Sequence, residues 1–163
     1  MSVGTISETD VCELAAQGVP AAAGLCGNDA PAVERLREAG LRPTRQRVRL
    51  AELLFDKGDR HVTAEMLHGE VLEAGVYLSL ATVYNTLNQF TQAGLLRRIG
   101  PDGSRSFFDT NTSVHPHFYL VGEDILIDVP ERLVLEQMPD ALPGHEIARL
   151  DIIIHICRKP SDA

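Results

Sequence analysis

Apolar residues recur at helical spacing in four stretches of the first two thirds of the chain, and alternate in strand-like fashion beyond them. Val33 and Leu36 fall between Asp29, a residue suited to capping a helix start, and Gly40; Pro31 sits in the first turn, where proline is tolerated. Val48, Ala51, Leu54 and Phe55 form one stripe between Thr44 and Gly58. Met66, Leu67 and Val71 follow Thr63 and run to Gly75, and Leu80, Val83, Leu87 and Phe90 follow Ser79 and run to Gly94. Each start carries a side-chain oxygen that can accept from a first-turn amide, and each stop is a glycine, so the pattern predicts four short helices.

The last two helices are separated by a short connection, the arrangement of a helix-turn-helix, in which the second helix enters the major groove. Strand-like runs at 95–99 and 104–109 flank a Gly-Pro-Asp-Gly turn at 100–103, and helix-turn-helix plus hairpin is a winged helix. A polar hinge at 110–113 precedes strands at 117–121 and 125–129, a short helix from Pro130 to Met138, and a strand from Glu146 to Cys157. The expected fold class is α+β: an arm at 1–28, a winged-helix domain at 29–109, and a small α/β domain at 114–163.

Charge changes this picture in one respect. The 163 residues carry a formal charge of −8, which taken alone argues against nucleic acid. The sign is segregated, however. Residues 1–34 hold acids and no base, 111–163 are acidic, and 35–60 carry eight bases against four acids, with Arg97, Arg98 and Arg105 following. A basic stretch between acidic ends is the electrostatic footprint expected of a DNA contact. Three widely spaced cysteines and no CxxC pair exclude a disulfide framework and a four-cysteine zinc site, and with no basic or apolar leader in the arm a cytoplasmic protein is expected.

Opposite the apolar stripe of the fourth helix lie Ala81, Asn85, Asn88 and Gln92, with Tyr84 on the flank and Thr82 in the first turn. Amide side chains can bond adenine and small or aromatic groups can touch the thymine methyl, while Arg42, Arg45, Arg47 and Arg105 are placed to hold phosphates. A second constellation is His61, Asp109, His115, His117 and Asp128. A His/carboxylate set of this kind suits Fe, Mn or Zn, and an imidazole also serves as an axial haem ligand.

The runs GLRPTRQR at 40–47, HVTAE at 61–65 and SLATVYNTL at 79–87 resemble the ferric uptake regulator superfamily, over about Ala30 to Lys159. Within it, the Asn-Thr-Leu at 85–87, FDTN at 108–111 and EIARLD at 146–151 are most similar to the iron response regulator branch. The resemblance implies a homodimeric winged-helix repressor or activator of iron or haem homeostasis, dimerised by its C-terminal domain, with operator binding controlled by metal or haem. It further implies that Arg42 reaches DNA ahead of the second helix, that Tyr84 contacts bases, and that His61, Asp109, His117 and Asp128 form a metal site between the domains. The haem alternative draws on His115, His117 and Cys26.

The departures matter too. Asn85 stands where many relatives carry arginine, Val114 and Pro116 replace a His and an Asp, and Cys26 is followed by Gly27 rather than proline. A relative sensing Mn, Zn or peroxide is the nearest alternative. A metal-dependent hydrolase is the alternative from another class, but there is no HExxH, nucleophile elbow or glycine-rich phosphate loop, and neither enzyme activity nor a small-molecule substrate is expected.

Overall fold

The computed structural model describes residues 30–100, 103, 105–130, 133 and 136–158. The elements are α1 (Ala30–Glu38), α2 (Arg45–Phe55), β1 (His61–Val62), α3 (Ala64–Glu73), α4 (Leu80–Gln92), β2 (Arg97–Ile99), β3 (Phe107–Asp109), β4 (His117–Leu120), β5 (Ile125–Asp128) and β6 (Ile153–Ile156).

Three of the helices start at their expected caps and three stop at their expected glycines, whereas α2 stops at Phe55, capped by Asp56, ahead of Gly58. The side chains of Thr44, Thr63 and Ser79 accept from the backbone N–H groups of Arg47, Met66 and Thr82. Asp29 lies outside the described residues. Gly40, Gly75 and Gly94 adopt φ of 73°, 72° and 75°, which a side chain would strain. At each, the glycine N–H reaches back three residues and the next N–H reaches back five: Leu41 to Leu36, Val76 to Val71, Leu95 to Phe90. This is the Schellman closure, and it turns Leu41, Val76 and Leu95 back onto the core that the helices share. That core holds Leu36, Leu50, Leu54, Leu67, Val83, Leu87 and Phe90 with Phe108 of β3. Leu80, expected on the buried stripe, is instead 40% exposed at the start of α4.

Two small sheets follow. Sheet A has the order β1-β3-β2, all antiparallel, and the two-residue strand β1 was not apparent from the pattern. Its rows decide which side chains meet: His61, Asp109 and Arg97 lie abreast on one face, while Val62 and Phe108 turn to the helical core. Sheet B has the order β5-β4-β6, with β4 antiparallel to β5 and parallel to β6. Ile99 and Phe107 of sheet A pack with Tyr119 and Leu126 of sheet B, and Ile153 joins them, so the sheets share a second core.

Two expected elements differ. Among the described residues of 130–138, none is helical, and Leu133 and Met138 are exposed. A helix this short depends on packing its apolar face, and Leu133 and Met138 leave theirs exposed. The strand expected from Glu146 to Cys157 is confined to Ile153–Ile156, because its partner β4 is bounded by Pro116 and Gly122. The apolar run outlasts the available ladder. Cys157, just past the end of β6, is exposed.

The loop before β1 is tied down by charge. Arg60 bonds the carbonyl of Leu53 and both oxygens of Glu70 on α3, Lys57 bonds the same carboxylate at 2.9 Å, and the Arg60 backbone pairs with Thr110. The hydrogen bond from Arg60 holds Glu70 below the usual carboxylate range. A carboxyl with a depressed folded pKa contributes stability above its unfolded value, about 4.3, and loses it as pH falls through the folded one. Wild type should therefore exceed Glu70→Gln in urea stability at pH 7, and the gap should narrow on acidification below about pH 5; a gap independent of pH would mean that the contribution is not ionic.

Candidate metal centre and nucleic-acid interface

The ends of the two sheets meet edge to edge. The row His61–Asp109 closes sheet A, the row His117–Asp128 closes sheet B, and His115 enters from the connecting segment. Each of these five residues offers one ligand atom, and all five atoms lie within 4.8 Å of one another. His61 Nε2 is 3.0 Å from Asp128 Oδ1 and 3.6 Å from Asp109 Oδ2; His115 Nε2 is 3.0 and 3.3 Å from the same atoms; His117 Nε2 is 3.5 and 3.4 Å from them. His61 and Asp109, far apart in sequence, are cross-strand neighbours. His115, read there as a haem ligand, belongs to the same cluster as the four expected metal ligands.

The chemistry of this cluster fits a cation. Asp109 has no exposed surface, and His117 is 2% exposed. The Nδ1 of His115 lies 3.1 Å from the Ser113 carbonyl and its Nε2 3.0 Å from Asp128 Oδ1, so the ring is turned into the cluster. His61 Nε2 is buried with no hydrogen-bond partner: Asp128 is close, but not along a hydrogen-bond direction. Burial favours the neutral acid at Asp109, yet the bond from His117, the nearby His61 imidazole and the Asn111 N–H outweigh it and hold the carboxyl well below the usual range. Two carboxylates converging on one small space call for positive charge between them, and three imidazoles with two carboxylates suit a first-row divalent metal.

The basic stretch sorts into exposed and engaged arginines. Arg42 and Arg45 are exposed at the entrance to α2. Arg47 is half-buried: its Nε and Nη2 donate to Gln89 Oε1 on α4 at 3.1 and 2.9 Å, and its Nη1 donates to the Arg42 carbonyl at 2.9 Å. It braces α4 against the Arg42 segment. Arg105 pairs with Asp124 at 2.8 Å, and Arg97 is buried. On α4, Ala81, Tyr84 and Asn85 are exposed, Thr82 is occupied with the Ser79 cap, and the Tyr84 ring meets Phe108 edge-on at 6.2 Å. Sequence reasoning missed the brace, since nothing in the spacing of Arg47 and Gln89 announces their contact. Cys26 lies outside the described residues, and among those residues no helix is long and apolar enough to cross a membrane.

Comparison with known proteins places the fold and the family. The model of the ferric uptake regulator family matches residues 38–151. The ferric uptake regulation protein of Vibrio anguillarum is 34% identical over 123 residues, covering 70% of this chain and 82% of that protein, and that of Vibrio parahaemolyticus is 30% identical over 131, covering 79% and 87%. Among solved structures, the ferric uptake regulator from Pseudomonas aeruginosa with manganese superposes with a TM-score of 0.59 at 28% identity, covering 79% of this chain and 98% of that one. The Vibrio cholerae regulator, at 24% identity and a TM-score of 0.60 over 77% of this chain and 98% of its own, shares the fold. With its helices, sheets and matched span, this chain belongs to the ferric uptake regulator family, a family of transcription regulators and not of enzymes.

Proposed function

We propose that this protein is a homodimeric, sequence-specific DNA-binding regulator of iron homeostasis whose operator affinity is set by a divalent metal held by His61, Asp109, His115, His117 and Asp128. The observation that carries this reading is the drawing of five convergent ligands from both sheets, with a buried, unpaired His61 Nε2 among them. A bound divalent cation supplies the charge that two clustered carboxylates need. The chain's own residues do the rest: the sheet A row and the sheet B row can reach a common point in only one relative arrangement of the two halves. Ligand occupancy then favours that arrangement over others, which is what a ligand must do to shift an equilibrium. The division that fits is a winged-helix domain at 29–109, a hinge at 110–113 and a dimerisation domain at 114–163.

In this reading α4 enters the major groove with Ala81, Tyr84 and Asn85 toward the bases, Arg42 and Arg45 hold phosphates, and Arg47 keeps the two in register. A regulator of this kind works inside the cell, on chromosomal DNA. Sheet B supplies the dimer contact. Phe118, Leu120, Ile125, Ile127, Ile154 and Ile156 lie on the face turned away from the shared core, and Ile125, Ile127 and Ile156 remain 43, 47 and 38% exposed in the single chain. An apolar face of this sort is suited to a second copy. A haem response, which the iron response regulator branch would add, rests on Cys26 and on His115 and His117, whose rings lie 4.3 Å apart facing into the cluster; the metal reading uses them as they stand.

Three outcomes test the proposal. His117→Ala should abolish the change in operator affinity produced by Mn2+ or Fe2+ while leaving the circular-dichroism spectrum intact; a variant still responsive to metal would place the sensor elsewhere. On duplexes selected from a random pool, Arg45→Ala should weaken all sequences alike, whereas Tyr84→Ala should erode discrimination by roughly 1–3 kcal/mol, and equal loss of discrimination in both would undo the division of roles. Ile127→Asp should shift the protein from dimer to monomer in sedimentation, and a dimer unaffected by that charge would rule out this face.

A further inference from the structure

Arg97 occupies the same row of sheet A as His61 and Asp109, one strand beyond Asp109 and on the face that carries the metal cluster. It is 7% exposed, so its charge is withdrawn from any DNA surface. Its terminal nitrogens are spent across the junction of the two halves. Nη1 donates to the Ser113 carbonyl at 2.6 Å, and Nη2 donates to the Leu150 carbonyl at 3.0 Å and to Asp151 Oδ1. Arg149 adds a second bond to Asp151 and donates to the Arg98 carbonyl at 2.6 Å, stitching the segment that enters β6 to strand β2. Burial would favour a neutral Asp151, but the bonds from Arg149 and Arg97 hold it ionised, below the usual carboxylate range.

The Ser113 carbonyl is the point of interest. It accepts from Arg97 and, at 3.1 Å, from His115 Nδ1, the bond that leaves His115 Nε2 facing the other ligands. The segment fixed at Asp151 leads directly into β6, whose first rung, Ile152 O accepting from the His117 N–H, holds the next ligand along. One guanidinium thus stands behind two of the three imidazoles, from a strand that belongs to the DNA-binding half.

We propose that Arg97 is a positioning residue of the metal centre: through the Ser113 carbonyl and the Asp151 carboxylate it orients His115 and docks the β6 segment, so that completing the ligand set and docking the two halves are one event. This role rests on the metal-centre reading. Asp151 matters twice in it, as Arg97's anchor and as the counter-charge that keeps a buried guanidinium from repelling a cation nearby. Outer-shell partners that fix a ligating histidine are typically worth 10–100-fold in metal affinity.

Cobalt(II) binding to the full-length protein tests this, because its visible spectrum reports the ligand set independently of DNA. Arg97→Met and the less buried Asp151→Asn should each bind cobalt at least about tenfold more weakly than wild type, with an altered visible spectrum and an unchanged far-ultraviolet circular-dichroism spectrum of the metal-free protein. Should Arg97→Met fail to fold, Asp151→Asn carries the test alone. Wild-type affinity and spectrum in Asp151→Asn would overturn the role, and so would weaker binding with an unaltered spectrum, which would mark the contact as structural only. Cobalt binding by wild type that survived His117→Ala would overturn the metal reading itself, and Arg97's role with it.

Discussion

Removing a carboxylate from water costs several kcal/mol unless positive charge or hydrogen-bond donors replace the lost hydration. Asp109, at the end of β3, has no exposed surface. Its Oδ1 is satisfied by the Asn111 N–H at 2.8 Å, within the turn that leaves β3, while Oδ2 faces His61, His115 and His117. Its position is inherited from sheet pairing: β1 sets His61 beside it and β2 sets Arg97 on its other side. The packing of one half against the other is organised around the need of this buried charge for partners, since the remaining ligands arrive only when sheet B is in place.

The helical half was largely legible because its signals are local. A Thr or Ser before a first turn and a glycine after a last one act through hydrogen bonds that span five residues or fewer, and Thr44, Thr63, Ser79, Gly40, Gly75 and Gly94 all behave as their chemistry dictates. The C-terminal half was less legible because its elements depend on distant partners. β1 is two residues long and exists only through β3, and β6 stops where β4 stops. The five clustered side chains were named from the sequence, but not the contacts that bring them together. His115 is set apart from a surface histidine by contacts no spacing announces: the Ser113 carbonyl at 3.1 Å, Asp128 at 3.0 Å and the His117 ring at 4.3 Å.

The arginines show the same limit more sharply. Charge along the sequence marks a basic region but does not distinguish guanidinium groups that face solvent from those that hold the protein together. Arg42 and Arg45 remain exposed, while Arg47 spans α2 and α4, Arg60 holds the loop before β1, and Arg97 joins β2 to the segment before β6. The planar fork of arginine, able to satisfy several acceptors at fixed angles, explains why these junctions use it rather than lysine. An acidic protein can still present a basic face, because Arg60 and Arg97 are matched internally by Glu70 and Asp151 while Arg42 and Arg45 at the entrance to α2 stay exposed.

Strand β4 connects the two surfaces that a metal-dependent regulator must couple. Side chains alternate along a strand, so His117 and Tyr119 face the ligand cluster and the shared core while Phe118 and Leu120 face away, in the company of Ile125, Ile127, Ile154 and Ile156. A one-residue slip would exchange the two sets, which makes the register costly to change. Neighbouring strands are bonded to β4 on both sides, so sheet B moves as a body rather than flexing between its faces. Whatever fixes His117 against His61 and Asp109 therefore fixes the apolar face of sheet B relative to α4. If a two-fold dimer is built on that face as proposed, the separation and angle of the two α4 helices, and with them the half-site spacing, would follow from the geometry of the side-chain cluster.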